Sequence, residues 1–80
     1  MFFVGLDLGQ KRDFSAVAVV EREERMAAGW SPRASCSLTV RHLERMSLGT
    51  SYTRVTERVC EIMRSPQMQG QSRLVVDATG

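Results

Sequence analysis

Several residue types are scarce in this chain of 80 residues, and each scarcity excludes a class of protein. Cys36 and Cys60 are too few for a disulfide framework and too far apart for a zinc site. We expect both to be buried thiols in a reducing compartment. The longest uncharged apolar run is far shorter than the roughly 20 residues that span a membrane, and no secretory leader is recognisable. The composition, 42% hydrophobic and 25% charged, is that of one small globular domain.

Lysine is almost absent, since Lys11 is the only lysine among 11 basic residues. Arginine is the better bidentate ligand for phosphate, so this bias is compatible with nucleic-acid binding. A GC-rich genome produces the same bias, and the net charge is only +2. The charge composition therefore selects no function by itself.

Two apolar segments, near the two ends of the chain, each carry one aspartate. Residues 2–8 include Asp7, and residues 73–78 include Asp77. We predict that both segments are strands, together with residues 14–21. All three are apolar without strict alternation, which is typical of strands that are buried on both faces.

The remaining segments differ in their periodicity. The polar link at 9–13 is short enough for an antiparallel hairpin. Residues 22–34 mix charge, glycine and proline, which indicates a long exposed loop or a helical turn at its start. A period of two over 35–46 predicts a third strand at or near a sheet edge. Apolar residues at helical spacing predict an amphipathic helix over 51–64 that ends before Pro66.

Alternation assigns the side chains of the third predicted strand to two faces. We expect Leu38 and Val40 to share a face with His42, and Leu43 to lie on the other face. His42 is most simply a hydrogen-bonded structural residue. Glu44 is most simply a solvated residue at the end of the strand.

The predicted order, β-β-β-α-β, is the first half of a ribonuclease-H-like α/β fold, so we expect residues 1–80 to form a single truncated domain of that kind. Its mixed sheet would hold the first and last strands side by side as a central parallel pair, because a strand–helix–strand crossover makes strands parallel. Asp7 and Asp77 would then be neighbours at the C-terminal ends of those strands. Paired carboxylates repel unless a divalent cation or a proton lies between them.

Four stretches of the sequence resemble the nuclease domain of phage terminase large subunits, which belongs to the ribonuclease-H-like superfamily. The opening hairpin VGLDLGQKRDFSAVAVV (4–20) is similar, as are VRHLER (40–45), LGTSY (48–52) and LVVDATG (74–80). The resemblance covers only the N-terminal half of such a domain. It spans nearly the whole chain apart from residues 22–34.

This resemblance implies a metal-dependent endonuclease that cuts phage DNA during genome packaging. Asp7 matches the family's first-strand acid and Asp77 its fourth-strand acid, so both are implied as catalytic ligands of Mg²⁺ or Mn²⁺ in two-metal phosphodiester hydrolysis. Double-stranded DNA is the implied partner, with an ATPase motor domain on a separate or missing segment. The implied compartment is the cytoplasm of a bacterial host.

Two departures from the family leave the activity of this chain uncertain. The family's third carboxylate lies further along the chain than Gly80, and no Gly-x-x-x-x-Gly-Lys-Ser/Thr motif occurs. Asp13 is a possible accessory acid, although a hairpin aspartate more often bonds turn amides. Lys11 and Arg12 are weak candidates for DNA-phosphate contacts.

Two other classes of function remain open. The chain could be a catalytically inert prophage remnant, self-associating through a sheet face that its one predicted helix leaves uncovered. Asp7-Leu8-Gly9 and Ser15-Ala16-Val17 also fit, more loosely, the opening of actin-like and sugar-kinase-like ATP-binding proteins.

Overall fold

A computed structural model describes residues 1–9, 13–25 and 35–77 of the chain. Its elements confirm the predicted α/β class and order. They are strand β1 (Phe2–Asp7), strand β2 (Ala16–Arg25), strand β3 (Ser35–Arg45), helix α1 (Tyr52–Met63) and strand β4 (Ser72–Asp77). Within these ranges no helix has the length and apolar character needed to cross a bilayer.

The four strands form one sheet in the order β3-β2-β1-β4. β1 is antiparallel to β2, and β2 is antiparallel to β3. β4 is parallel to β1, as the crossover through α1 requires. The parallel pair and the edge position of β3 are therefore confirmed. β4 is the other edge of the described sheet, so β1 is the only interior member of the pair.

The segment 22–25, predicted as loop or helical turn, is instead the end of β2, while residues 26–34 lie outside the described part. β2 continues to Arg25, which pairs with Ser35 of β3. The sequence here is almost entirely charged, so it carries no hydrophobic period from which a strand could be recognised. The charges of Arg22, Glu23 and Glu24 are tolerated because these residues are exposed. Arg22 and Glu24 also form an ion pair with each other at 3.0 Å.

Helix α1 packs on one face of the sheet and forms the core there. Ser51 caps the helix by accepting a hydrogen bond from the Arg54 amide at 3.2 Å. One turn apart, Val55 and Val59 are both buried. Each such side chain contributes about 1.5 kcal/mol by leaving water. The buried hydrophobic residues are Val4, Leu6, Val17, Val19, Met46, Val55, Val59 and Met68.

A β-bulge in β3 overturns the predicted alternation of that strand. Val20 pairs with Val40, whereas its neighbour Val19 pairs with His42, so the register shifts by one residue. His42 thus lies on the face that α1 covers, and Val40 and Leu38 lie on the opposite face. An extra residue in one strand reverses the facing of all residues beyond it. The period-two pattern contains no sign of this insertion.

The opposite face, which we call the open face, is covered by no described element. Its residues follow from the register: Phe3, Gly5 and Asp7 of β1; Ala16, Ala18, Val20, Arg22 and Glu24 of β2; Cys36, Leu38, Val40, Leu43 and Arg45 of β3; and Arg73, Val75 and Asp77 of β4. The expectation that apolar strands are buried on both faces is wrong, because the single described helix covers only one side. Cys36 is likewise exposed rather than buried.

Candidate functional site

The two aspartates of the terminal strands lie directly opposite each other. Asp7 pairs with Asp77 in the parallel ladder of β1 and β4. Neighbouring strands are about 4.8 Å apart, and paired residues point to the same face of a sheet. The Leu8 amide donates a hydrogen bond to the Asp77 carbonyl at 3.0 Å, which holds the strands together at this point. The two aspartates are therefore neighbours on adjacent parallel strands, as expected.

Both carboxylates lie at the end of a shallow groove on the open face. The groove has a volume of about 300 Å³. Small residues form its floor and larger apolar residues its sides. Its lining is Gly5, Leu6, Ala16, Val17, Ala18, Leu43 and Val75, with Asp7 and Asp77. Among the residues that the structure describes, the aspartates are the only charged groups of the lining, so a cation is the ligand that this end of the groove suits.

The backbone that follows Asp7 is fixed by two side chains from elsewhere in the fold. The Gly9 amide donates a hydrogen bond to the hydroxyl oxygen of buried Ser15 at 3.0 Å. The Tyr52 hydroxyl donates to the Gly9 carbonyl oxygen at 3.0 Å. A Cβ atom at Gly9 would overlap the backbone of Asp13 and Phe14. The chain is thus held in one path immediately after the first aspartate.

Sequence reasoning did not assign these anchoring roles. Tyr52 was expected only as part of the amphipathic helix over 51–64, and Ser15 was expected within the second strand, which begins at Ala16 instead. Tyr52 is 43 residues from Gly9 along the chain, and only the fold brings them together. A glycine immediately after a strand was the one available signal that the backbone is tightly approached there.

The accessory candidate Asp13 does not line the groove. Asp13 is exposed and lines a separate pocket of about 490 Å³. That pocket lies between the end of β1 and the start of α1, and its other lining residues include Ser15, Ser47 and Tyr52. Lys11 and Arg12 lie outside the described residues.

A second charged cluster lies on the side of the sheet that α1 covers. Arg58 of α1 binds Glu44 of β3 through two N–H donors, each 2.8 Å from a different carboxylate oxygen. It also contacts Glu61 at 3.1 Å. The Arg58 hydrogen bonds lower the pKa of Glu44 to about 2, against a weaker opposing effect of desolvation. A hydrogen bond from His42, whose Nε2 lies 3.1 Å from Glu44, acts in the same direction as Arg58.

This cluster joins the helix to an edge strand. Both oxygens of the Glu44 carboxylate accept hydrogen bonds from Arg58. The expectation that Glu44 is a solvated strand end is wrong, since the strand end faces the helix. His42 is hydrogen-bonded to a side chain of its own strand, in keeping with a structural role. We therefore assign the cluster to holding α1 on the sheet.

The carboxylate pair is the site's whole set of acidic ligands within the described ranges. No group of three or more His, Cys, Asp or Glu side chains that could hold a metal ion occurs there. Two carboxylates are nevertheless a donor set that fits Mg²⁺, which commonly binds proteins through one or two carboxylates and completes its shell with water and substrate phosphate. The pair fits a weakly held ion of this type.

Comparisons of this chain with protein-family models, with curated proteins and with solved structures gave no match. The likeness to terminase nuclease domains therefore depends on the four sequence stretches alone. The chemistry of the site has to be argued from its own residues.

Proposed function

We propose that this chain contributes a divalent-metal site, formed by Asp7 and Asp77, to the hydrolysis of phosphodiester bonds in double-stranded DNA. The observation that carries the proposal is the pairing of the two aspartates on adjacent parallel strands. Like charges placed directly opposite each other destabilise a sheet. A cation held between two carboxylates would offset such repulsion, which supports the proposal.

The preferred ions are Mg²⁺ and Mn²⁺, because both are hard cations that favour carboxylate oxygen. When bound, such an ion activates water and neutralises the charge of a phosphodiester. Asp7 and Asp77 would hold the ion. The firm anchoring of Gly9 supports this role, since a ligand needs a fixed backbone.

Two arginines on the same face support a nucleic-acid substrate. Arg45 lies in register with Ala16, which in turn pairs with Asp7. Its guanidinium is 4.2 Å from the centre of the Phe14 ring, a contact that orients it. Arg73 lies on β4, four residues before Asp77. Both can neutralise phosphate charge beside the carboxylates. As in terminases, the chain would act together with an ATPase motor in the cytoplasm of a bacterial host.

Paramagnetic broadening by Mn²⁺ tests the metal site without requiring activity. We expect substoichiometric Mn²⁺ to broaden the amide signals of Leu8 and Val76 before those of α1. Asp7→Asn should abolish this selectivity. Glu57→Gln is the matched control, because it also removes one exposed carboxylate, from the Arg54 pair on the helix. Equal broadening in wild type and Asp7→Asn would refute the site.

A plasmid-nicking assay tests the reaction. We expect Mn²⁺-dependent relaxation of supercoiled plasmid by wild type, and its loss in both Asp7→Asn and Asp77→Asn. Asp13→Asn should retain activity, since Asp13 lies in another pocket. Selective Mn²⁺ binding without nicking would indicate a site that needs further protein groups, whereas neither binding nor nicking would favour an inert remnant.

A further inference from the structure

We propose that a second copy of this chain covers the open face, in a two-fold dimer whose sheets stack face to face. The inference concerns association and does not require the metal chemistry proposed above. Because this dimer would cover Asp77 and Arg45, it would compete with DNA for the same face. It rests on the apolar character of the face, on its size and on the order of its charges.

The open face presents large apolar side chains to solvent. Leu43 is 74% exposed, Leu38 68%, Val40 65% and Val75 60%. Val20 and Phe3 lie between them and are partly buried. Contiguous exposure of this kind is uncommon on a monomer and marks an interaction surface.

The size of the face is that of a small dimer interface. Four strands spaced about 4.8 Å apart, with six residues each at a rise of about 3.3 Å, cover a planar area of roughly 380 Å². Specific interfaces bury about 600–1,000 Å² of accessible surface on each side. Side chains that project from the sheet and lie at its margins add to the planar area, so the face corresponds to an interface at or below the lower end of that range.

The charges of the face are self-complementary. Across the sheet, one row runs in the order Arg45, Ala16, Asp7 and Asp77, so it is positive at one end and negative at the other. A two-fold axis parallel to the strands reverses this row in the second copy. Arg45 of each copy then lies opposite Asp77 of the other, which provides two symmetric ion pairs. A partner of a single charge sign would complement only one end of the row.

The neighbouring rows are compatible with the same rotation. Leu43 meets Val75 of the second copy, so apolar side chains face each other in the middle of the interface. Val40 meets the aliphatic part of Arg73, whose guanidinium can remain at the solvated margin. Stacked sheets of this type pack about 10 Å apart with their strands within about 30° of one another.

Sedimentation equilibrium of the full chain in EDTA tests the dimer apart from any metal effect. Over a roughly hundredfold concentration range we expect a monomer–dimer equilibrium for wild type. Leu43→Glu should raise the dissociation constant at least about tenfold. Leu48→Glu, which changes another exposed leucine, in the turn before α1, should leave the dissociation constant unchanged. Circular dichroism verifies that each variant is folded.

A charge exchange tests the orientation of the two copies. Arg45→Asp should weaken the dimer about tenfold, and the double variant Arg45→Asp with Asp77→Arg should restore it to within about threefold of wild type. A wild type that stays monomeric, an open-ended series of larger species, or equal effects of the two leucine variants would overturn the proposal. Failure of the double variant to recover would overturn the arrangement of the copies.

Discussion

The two faces of this sheet are built from alternate residues of the same strands, yet they have opposite physical characters. On the covered face, Val4 and Val17 are fully buried against α1. On the open face, their neighbours Gly5 and Ala18 are only partly buried, and Leu43 is largely exposed. One face therefore supplies stability. The other carries surplus apolar area together with the carboxylate pair.

The difference shows how a small domain can separate folding from function. Burial on one face holds β1 in the core, and the parallel ladder to β1 holds β4, which brings Asp7 to Asp77. The open face is then available for an ion, for a partner or for DNA. Residues of the open face can therefore be substituted without loss of the core.

The largest difference in stability is expected between substitutions of two consecutive residues of β2. Val17→Asp would bury a charge beneath α1 and should lower the free energy of unfolding by about 3–5 kcal/mol, enough to unfold much of a marginal domain. Ala18→Asp places the same group on the open face and should cost less than about 1.5 kcal/mol. Urea denaturation of dilute protein measures both values. Equal losses would show that the open face is covered in the monomer.

The next largest difference in stability is expected between substitutions of the two glycines on either side of Asp7. Gly9→Ala should cost about 2 kcal/mol, because the new methyl group overlaps backbone that cannot move aside easily. At Gly5 the nearest atom to an added Cβ is the Ala18 carbonyl oxygen, 3.9 Å away. Gly5→Ala should therefore be neutral or stabilising by about 0.5 kcal/mol. Thermal unfolding compares the pair, and a harmless Gly9→Ala would contradict the anchored path after Asp7.

The Glu44–Arg58 pair should give the covered face a pH dependence. The pKa of Glu44 is lowered from an ordinary 4.5 to about 2 in the folded state. Its contribution to stability is thus complete above pH 4.5 and is lost as the pH falls through 2. Because the pair is partly exposed, we expect Glu44→Gln to cost only about 1 kcal/mol at neutral pH.

Chemical denaturation at a series of pH values checks this. The difference between wild type and Glu44→Gln should shrink towards zero at the acid end. Glu57→Gln, which breaks the exposed Arg54 pair, should change stability by less than about 0.5 kcal/mol. A difference for Glu44→Gln that stayed constant down to pH 2 would contradict the assigned pKa.

The smallest change in stability is expected when one carboxylate of the pair is removed in the absence of metal. Asp7→Asn removes the repulsion from Asp77 and should stabilise the protein by about 0.5 kcal/mol in EDTA. Mn²⁺ should then raise the melting temperature of wild type but not of Asp7→Asn. Thermal scans with and without the ion measure both changes. Stabilisation of the variant by Mn²⁺ would place the ion elsewhere.

Most of the architecture was predictable because it depends on local patterns. Apolar segments, a capped amphipathic helix and the crossover rule together predicted the parallel pair of β1 and β4. Two features were not predictable. The charged end of β2 carries no hydrophobic period, and the bulge at Val40–His42 is an insertion that alternation cannot reveal.

The features of the site likewise divide into those that the sequence predicted and those that it did not. That Asp7 and Asp77 would be neighbours followed from element order alone. The anchoring of Gly9 by Tyr52, and the capture of Glu44 by Arg58, join residues that are far apart in the chain. Such contacts depend on how α1 sits on the sheet, and no spacing rule encodes them.

By itself the sequence determined the order of elements, and the strand topology expected for that order predicted that the two aspartates would meet on adjacent parallel strands. Only the tertiary structure decided which face they share. The single described helix covers the side lined by Val4 and Leu6, and the pleat turns Asp7 and Asp77 to the other side. That choice leaves the carboxylates on an exposed apolar surface, where an ion or a second copy can reach them.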